Sequence, residues 1–377
     1  MDLFETTLRD GEQAAGIHLT PAQKAHLAAQ LEASGVDVID AGFPFASAVD
    51  WQGVREVAAA TETVRVSAVA THLKTDIDAV RRALTGHEDR ARLATRIGPE
   101  ELYKKHESNN QIRGRLIERS TASVSYARCY FPEVQYYLNY SGNRSPEFLE
   151  ELSDAVVEAG ATHVIVADSQ STFTPSKIAI LVERLVATLG NRANLGVHCH
   201  NNYGLALANT VSAVEAGARQ VEVTIGGIGD AGGNTALEQV AAYADNFGDD
   251  DPRWQNGFDL GSVMLLADML RTMTGVTYAS NQPFIGEDTF KVEAGIHQNQ
   301  LEQVALGFDP QRMGRACEVV LGRHSGMIGI RQRAQMLGLW RDGINQKKLY
   351  RLLMDKAMET GTISDETLAT AVKRVAE

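Results

Sequence analysis

Three times along this 377-residue chain a helical stretch stops at a glycine and a short strand-like segment starts within a few residues. Leu31-Glu32-Ala33-Ser34-Gly35 leads into Val36-Asp37-Val38-Ile39, Val157-Glu158-Ala159-Gly160 into His163-Val164-Ile165-Val166, and Val214-Glu215-Ala216-Gly217 into Gln220-Val221-Glu222-Val223. Glycine suits the left-handed position that ends a helix, and β-branched residues suit a strand, so these are repeated αβ joins. Helix starts agree: Thr20-Pro21-Ala22-Gln23 combines a capping hydroxyl, proline at the first helical position and Gln three residues after the cap, and Thr174-Pro175 opens another helix. Strands are expected near residues 2–7, 36–41, 64–70, 91–96, 133–139, 162–167, 194–199 and 220–225, with helices between them, although Gly98 to Arg115 reads as a polar loop. Alternating strands and helices imply a parallel sheet, and eight strands favour closure into a (β/α)8 TIM barrel over an open doubly wound sheet.

Such a barrel needs about 250 residues, so the chain divides into a catalytic barrel over 1–246 and a mainly helical C-terminal subdomain over 247–377. The break is Gly248-Asp249-Asp250-Asp251-Pro252, and the chain closes with two expected surface helices, Gln346 to Met358 and Ser364 to Ala376, around Gly361. Hydrophobic residues at 44% leave ample material for a core. The net charge of -12 lacks the basic footprint of a nucleic-acid binder. Cys129, Cys199 and Cys317 show no paired or C-x-x-C framework, no secretion signal precedes the first strand, and even Val263 to Leu270 is interrupted by Asp268. A cytoplasmic enzyme without membrane or nucleic-acid partners is the expectation.

In a closed barrel, strand 8 lies between strands 7 and 1, and active sites sit at the C-terminal strand ends. Three polar clusters fall there: Arg9 and Asp10 after strand 1, His198-Cys199-His200 ending strand 7, and the run Gly226 to Asn234 after strand 8. Residues i and i+2 of a strand share a face, so His198 and His200 can address one ion, with Asp10 adding a carboxylate and Asn234 an amide oxygen. This donor set suits Mg²⁺, Mn²⁺ or Zn²⁺. The bland readings are two buried structural histidines, a local Arg9–Asp10 pair and a flexible glycine loop; convergence of all three on adjacent strands weighs against them.

Phe4-Glu5-Thr6-Thr7-Leu8-Arg9-Asp10-Gly11-Glu12-Gln13 resembles the opening motif of the isopropylmalate, homocitrate and citramalate synthases of the DRE-TIM metallolyases. Ala41-Gly42-Phe43-Pro44, His198-Cys199-His200-Asn201, Ala294-Gly295-Ile296-His297 and Gly322-Arg323-His324-Ser325-Gly326 are similar to later motifs of that family, in the same order. The resemblance implies a Claisen-type condensation of an acyl-CoA, with acetyl-CoA the expected donor, and a 2-oxo acid. A divalent metal holds the carboxylate and keto oxygen, Arg9 stabilises the developing alkoxide, and the products are CoA and a 2-hydroxy-2-alkyl dicarboxylic acid. It further implies a homodimer in which the C-terminal subdomain covers the neighbouring barrel and brings a catalytic His297. Ser169 stands where relatives hold the substrate carboxylate with a Thr hydroxyl, and His72 where a histidine faces the distal group of the substrate. His297 also has a plain reading as a helix-packing residue.

Departures from the pattern fall at active positions. Asn139 stands where a glutamate is usual, Ala305 where a subdomain tyrosine is usual, and Asn202 where an acid follows the H-x-H-N motif. An amide cannot accept a proton as a carboxylate does, which leaves His297, with Tyr137 or Tyr140, as base candidates. It also favours a more highly charged 2-oxo acid, with His72 or Arg144 near its distal group. A metal-dependent lyase or aldolase and a non-catalytic binding barrel are the competing classes. The chain shows no further α/β unit after the subdomain, so regulation through one is not expected.

Overall fold

The computed structural model describes residues 1–97, 110–248, 251–298 and 307–376. Eight parallel strands close into a barrel in chain order: β1 (Asp2–Glu5), β2 (Val38–Asp40), β3 (Arg65–Thr71), β4 (Ala91–Arg96), β5 (Glu133–Leu138), β6 (His163–Asp168), β7 (Asn194–Cys199) and β8 (Gln220–Val223). Closure is made by β1 on β8, with Phe4 opposite Glu222 and Glu5 opposite Val223. Every expected strand is present, and the TIM barrel replaces the open-sheet alternative.

The helices that cover the barrel start and stop as their end residues dictate. In α1 (Pro21–Ala33) the Gln23 amide donates to Thr20 Oγ1 at 3.3 Å and Gln23 Oε1 accepts from the Thr20 amide at 2.8 Å, a reciprocal cap behind Pro21. α2 (Ala48–Ala60) is capped by Ser47, and α3 is Lys74–Ala83. Gly35, Gly160 and Gly217, which end the three recurring joins, have φ of 85°, 111° and 119°.

The polar-loop expectation for Gly98 to Arg115 is corrected from residue 110 onward; residues 98–109 lie outside the described residues. α4 spans Asn110–Arg128. Its inward positions are Leu116, Ser120, Ser123, Val124 and Ala127, spaced as one helical face but three of the five serine or alanine, so the apolar stripe is weak. α5 (Pro146–Glu158), α6 (Pro175–Leu189), α7 (Ala206–Glu215) and α8 (Leu237–Phe247) complete the ring.

The first compact unit runs from Met1 to Thr277, past the expected boundary at 246. Trp254 is 2% exposed and tilts on the Tyr243 ring at 4.7 Å, and α9 (Val263–Thr274) packs on α1 and buries Leu266, Ala267 and Leu270. This apolar face is buried with the barrel, which is why the division falls later. The second unit, Tyr278–Glu377, has α11 (Met327–Met336), α12 (Gln346–Thr360) and α13 (Asp365–Ala376) after the short α10 (Gly295–Gln298). The last two are not merely surface helices. Leu349, Leu353, Leu368 and Val372 join Ile330, Ala334 and Ile363 in a core of their own.

The barrel interior is partly polar. Arg92 donates to Gln135 and Gln220, Gln220 Nε2 donates to Gln135 Oε1 at 3.0 Å, and Gln135 Nε2 donates to Glu222 Oε1 at 2.9 Å. This ladder, satisfied at each rung, rises towards the C-terminal strand ends.

Candidate active site

After β1 the chain curls back, with the Arg9, Asp10 and Gly11 amides all donating to the Thr6 carbonyl. Lys24 fixes the curl: its ammonium donates to the Leu8 carbonyl at 2.8 Å and pairs with Glu12. Arg9 is thereby held inside the barrel mouth, 8% exposed. Its Nε donates to Asp40 Oδ2 at 2.7 Å, one Nη lies 3.5 Å from Asp10 Oδ2, and the other lies 3.8 Å from Glu222 Oε2 and 3.3 Å from the Tyr137 hydroxyl. Burial opposes the charge on Arg9, but these carboxylates outweigh it and hold the guanidinium firmly ionised.

Strand alternation brings His198 and His200 to one face. Their Nε2 atoms are 3.0 Å apart; Asp10 Oδ2 lies 3.0 Å from the first and 3.8 Å from the second. His198 Nδ1 faces Glu222 Oε2 at 2.9 Å, so in the neutral ring that a metal would require the proton belongs on Nδ1 and the Nε2 lone pair is aimed at the cluster. Two buried facing imidazole nitrogens and a carboxylate oxygen that accepts no hydrogen bond form a poor packing arrangement by themselves. Two ligands about 2.1 Å from one ion and at right angles to each other would be about 3 Å apart, so the spacing fits a divalent metal. Burial disfavours a charged His198, yet Asp10 and Glu222 overcome it and push its pKa up to about 9. Burial and the His198 charge push His200 down to about 4. Asp10 is held well below the carboxylate range by Arg9 and His198 despite its burial. All three groups are thus electrostatically tied together.

The glycine run is packed rather than loose. A side chain on Gly233 would meet the Gly227 carbonyl at 2.0 Å, and one on Gly229 the Asn234 amide nitrogen at 2.1 Å. Asn234 bridges to His200, its Nδ2 donates to the Ile228 carbonyl at 3.2 Å, and its Oδ1 is buried without a partner. An orphaned amide oxygen beside His200 is what a further metal ligand requires.

The profile of the HMGL-like family matches residues 1–270. A 2-isopropylmalate synthase of Geobacillus sp. strain WCH70 is 34% identical over 380 residues, covering 99% of this chain and 73% of that protein. One from Pyrococcus furiosus is 34% identical, covering 89% and 68%. The chain belongs to the HMGL-like family. Among solved structures, hydroxymethylglutaryl-CoA lyase from Pseudomonas aeruginosa superposes with a TM-score of 0.61 at 23% identity, over 73% of this chain and 93% of that one. The carboxyl transferase domain of Rhizobium etli pyruvate carboxylase gives 0.57 at 14%, over 100% and 60%. At these identities the two structures show the shared fold alone.

In this HMGL-like barrel a cavity of about 220 Å³ opens at the C-terminal strand ends, lined by Arg9, Asp10, Arg96, Tyr137, Asn139, Tyr140, Ser169, His198 and His200. Asn139 and Ser169 both line this cavity, and Ser169 Oγ accepts from the Tyr140 amide at 3.2 Å. His72 follows β3 outside that lining, and Arg144 lines two neighbouring hollows instead. His297 is exposed in α10 of the second unit. Ala305 lies outside the described residues. Sequence reasoning missed Asp40, Arg96 and Glu222, although each is a charged residue at or near the C-terminal end of a strand, the signal that marked Arg9 and Asp10.

Proposed function

We propose that this chain condenses an acyl-CoA, with acetyl-CoA the favoured donor, with a 2-oxo acid, releasing CoA and a 2-hydroxy-2-alkyl dicarboxylic acid. The observation that carries this reading is the meeting of Asp10 Oδ2 and the two histidine Nε2 atoms beside Arg9 in one cavity, in a chain 34% identical to 2-isopropylmalate synthases. Asp10, His198 and His200, with Asn234 Oδ1 contributing, would hold a divalent ion (Mg²⁺, Mn²⁺ or Zn²⁺), which would supply Lewis-acid polarisation of the keto group.

The side chains of the protein have separate tasks. A bond forms between the α-carbon of the acyl group, after loss of its proton, and the keto carbon; the keto oxygen gains a proton and water then splits the thioester. Arg9, fixed through Nε by Asp40, turns its Nη donors into the cavity where the keto oxygen becomes an alkoxide, a contact that strengthens towards the transition state. Ser169 and Asn139 offer neutral polar contacts to the substrate, and His72 stands further out.

Tyr137 is a poor base, because its hydroxyl donates to Glu222 and burial pushes its pKa well above 10. Proton abstraction is assigned to His297, and the second unit to a lid and dimerisation role in a cytoplasmic homodimer; the motif resemblance supports both assignments. No described helix is long and apolar enough to cross a membrane.

Free-thiol release from acetyl-CoA across a panel of 2-oxo acids, with product mass, tests the reading. Asn139, an amide facing the cavity in place of a glutamate, favours a second one: metal-dependent cleavage of a related carbon–carbon bond. That reaction consumes a hydroxy acid or its thioester without releasing CoA on condensation, so the same assay separates the two.

A further inference from the structure

Three arginines project into the barrel, and two are matched by the chain itself. Arg92 meets Glu133, Gln135 and Gln220 at the barrel base, and Arg9 meets Asp40, Asp10 and Glu222 at the mouth. Arg96, four residues after Arg92 on β4 and on the same strand face, ends in the cavity. Among the described residues no carboxylate or carbonyl takes a hydrogen bond from it. Its guanidinium carbon rests 5.9 Å from the Phe43 ring centre, and that of Arg9 lies 5.7 Å from the same centre. A cation held against an aromatic ring, with Asp10 acting on it only at longer range and no carboxylate in direct contact, is a ready binding group. Burial and the neighbouring Arg9 act against its charge and outweigh the support of Tyr137, Asp10 and Tyr140, a balance that an incoming anion would improve.

We infer that Arg96 binds a second carboxylate on the substrate, so that the 2-oxo acid taken by this cavity is a dicarboxylic one. The inference rests on the condensation reading, in which the first carboxylate and the keto oxygen lie at the metal side. Two further features agree with it. Asn139 presents an amide where a glutamate would repel a second anion, and Ser169 is neutral. Among the described residues the aliphatic lining is Val69 and Ala167. A bidentate guanidinium–carboxylate contact gives this arrangement orientation as well as affinity.

The test is calorimetric binding of 2-oxoglutarate, oxaloacetate and 2-oxoisovalerate to the metal-loaded full chain, without acyl-CoA, in wild type, Arg96→Gln and Arg96→Lys. At least one dicarboxylic acid is expected to bind about 30-fold or more tighter than 2-oxoisovalerate, roughly 2 kcal/mol at 1.4 kcal/mol per tenfold. Arg96→Gln is expected to erase that preference while leaving 2-oxoisovalerate binding within about threefold, and Arg96→Lys to restore part of it. Unchanged preference in Arg96→Gln or equal weakening of all three acids overturns the inference; thermal melts check that each variant is folded. CoA release measured in parallel separates the two claims. Turnover with 2-oxoisovalerate but neither dicarboxylic acid keeps the condensation reading and removes the role of Arg96. Arg96-dependent binding without CoA release from any of them keeps the anion site and removes the condensation.

Discussion

Glu222 accepts from three side chains at once: His198 Nδ1 and the Tyr137 hydroxyl at 2.9 Å, and Gln135 Nε2 at 2.9 Å. An amide in its place turns one oxygen into a donor and sets it against a donor of His198 or Gln135. Glu222→Gln is therefore predicted to weaken metal binding by about 10- to 100-fold, the usual cost of losing an outer partner of a ligating histidine, measured by competition with a chelator; unchanged affinity would remove Glu222 from that role. Glu5 tests a different term. Burial pushes its pKa up to about 8 from 4.5 despite the hydrogen bonds from Thr7. The native state then holds the proton more tightly than the unfolded chain, so the contribution of Glu5 is complete below about pH 4.5 and is lost as pH rises towards 8. Glu5→Gln should raise stability at pH 7 by up to about 3 kcal/mol and change it little at pH 4, by urea unfolding at both values. The cluster of Asp10, His198 and His200 was legible because motif and strand position agree. Asp40, Arg96 and Glu222 carried only the strand-end position and no motif, and a single charged residue in a strand looks the same in sequence whether it faces solvent or the barrel interior.

At the scale of elements, the αβ joins carry the fold. Gly35 has φ of 85°, and a Cβ there would meet the Gly257 carbonyl oxygen at 2.3 Å, a backbone atom that cannot swing aside. Gly35→Ala is predicted to destabilise the protein by about 2 kcal/mol or more, from left-handed strain and the clash together; a loss under about 0.5 kcal/mol in denaturant unfolding would show that the join relaxes. Thr20→Ala, which removes one side of the α1 cap, is predicted to cost about 1 kcal/mol. All eight strands were expected from the sequence, three of them from β-branched runs after glycine stops. The helix from Asn110 could not, because Ser120 and Ser123 occupy inward positions where periodicity looks for apolar residues.

At the scale of the whole molecule, the division after Thr277 rather than near residue 246 makes a prediction of its own. Truncation at 277 should leave a cooperatively folding, metal-binding barrel, whereas truncation at 246 strips away buried Trp254, Leu266 and Leu270 and should lower the melting temperature by many degrees or prevent folding. Equal stability of the two fragments would contradict the packing of α9 on α1. The sequence showed the change in pattern at Gly248 but not its partner, since which surface an amphipathic helix covers depends on tertiary contacts that local periodicity does not encode. The central claim is that condensation takes place at the Asp10, His198 and His200 cluster. It is tested most directly by CoA release from acetyl-CoA with the 2-oxo acid panel, before and after metal removal and in His200→Ala. The account predicts release that requires a 2-oxo acid, stops on chelation, returns with a divalent ion and falls by about 100-fold or more in His200→Ala; release that persists undiminished after chelation and in that variant would contradict it.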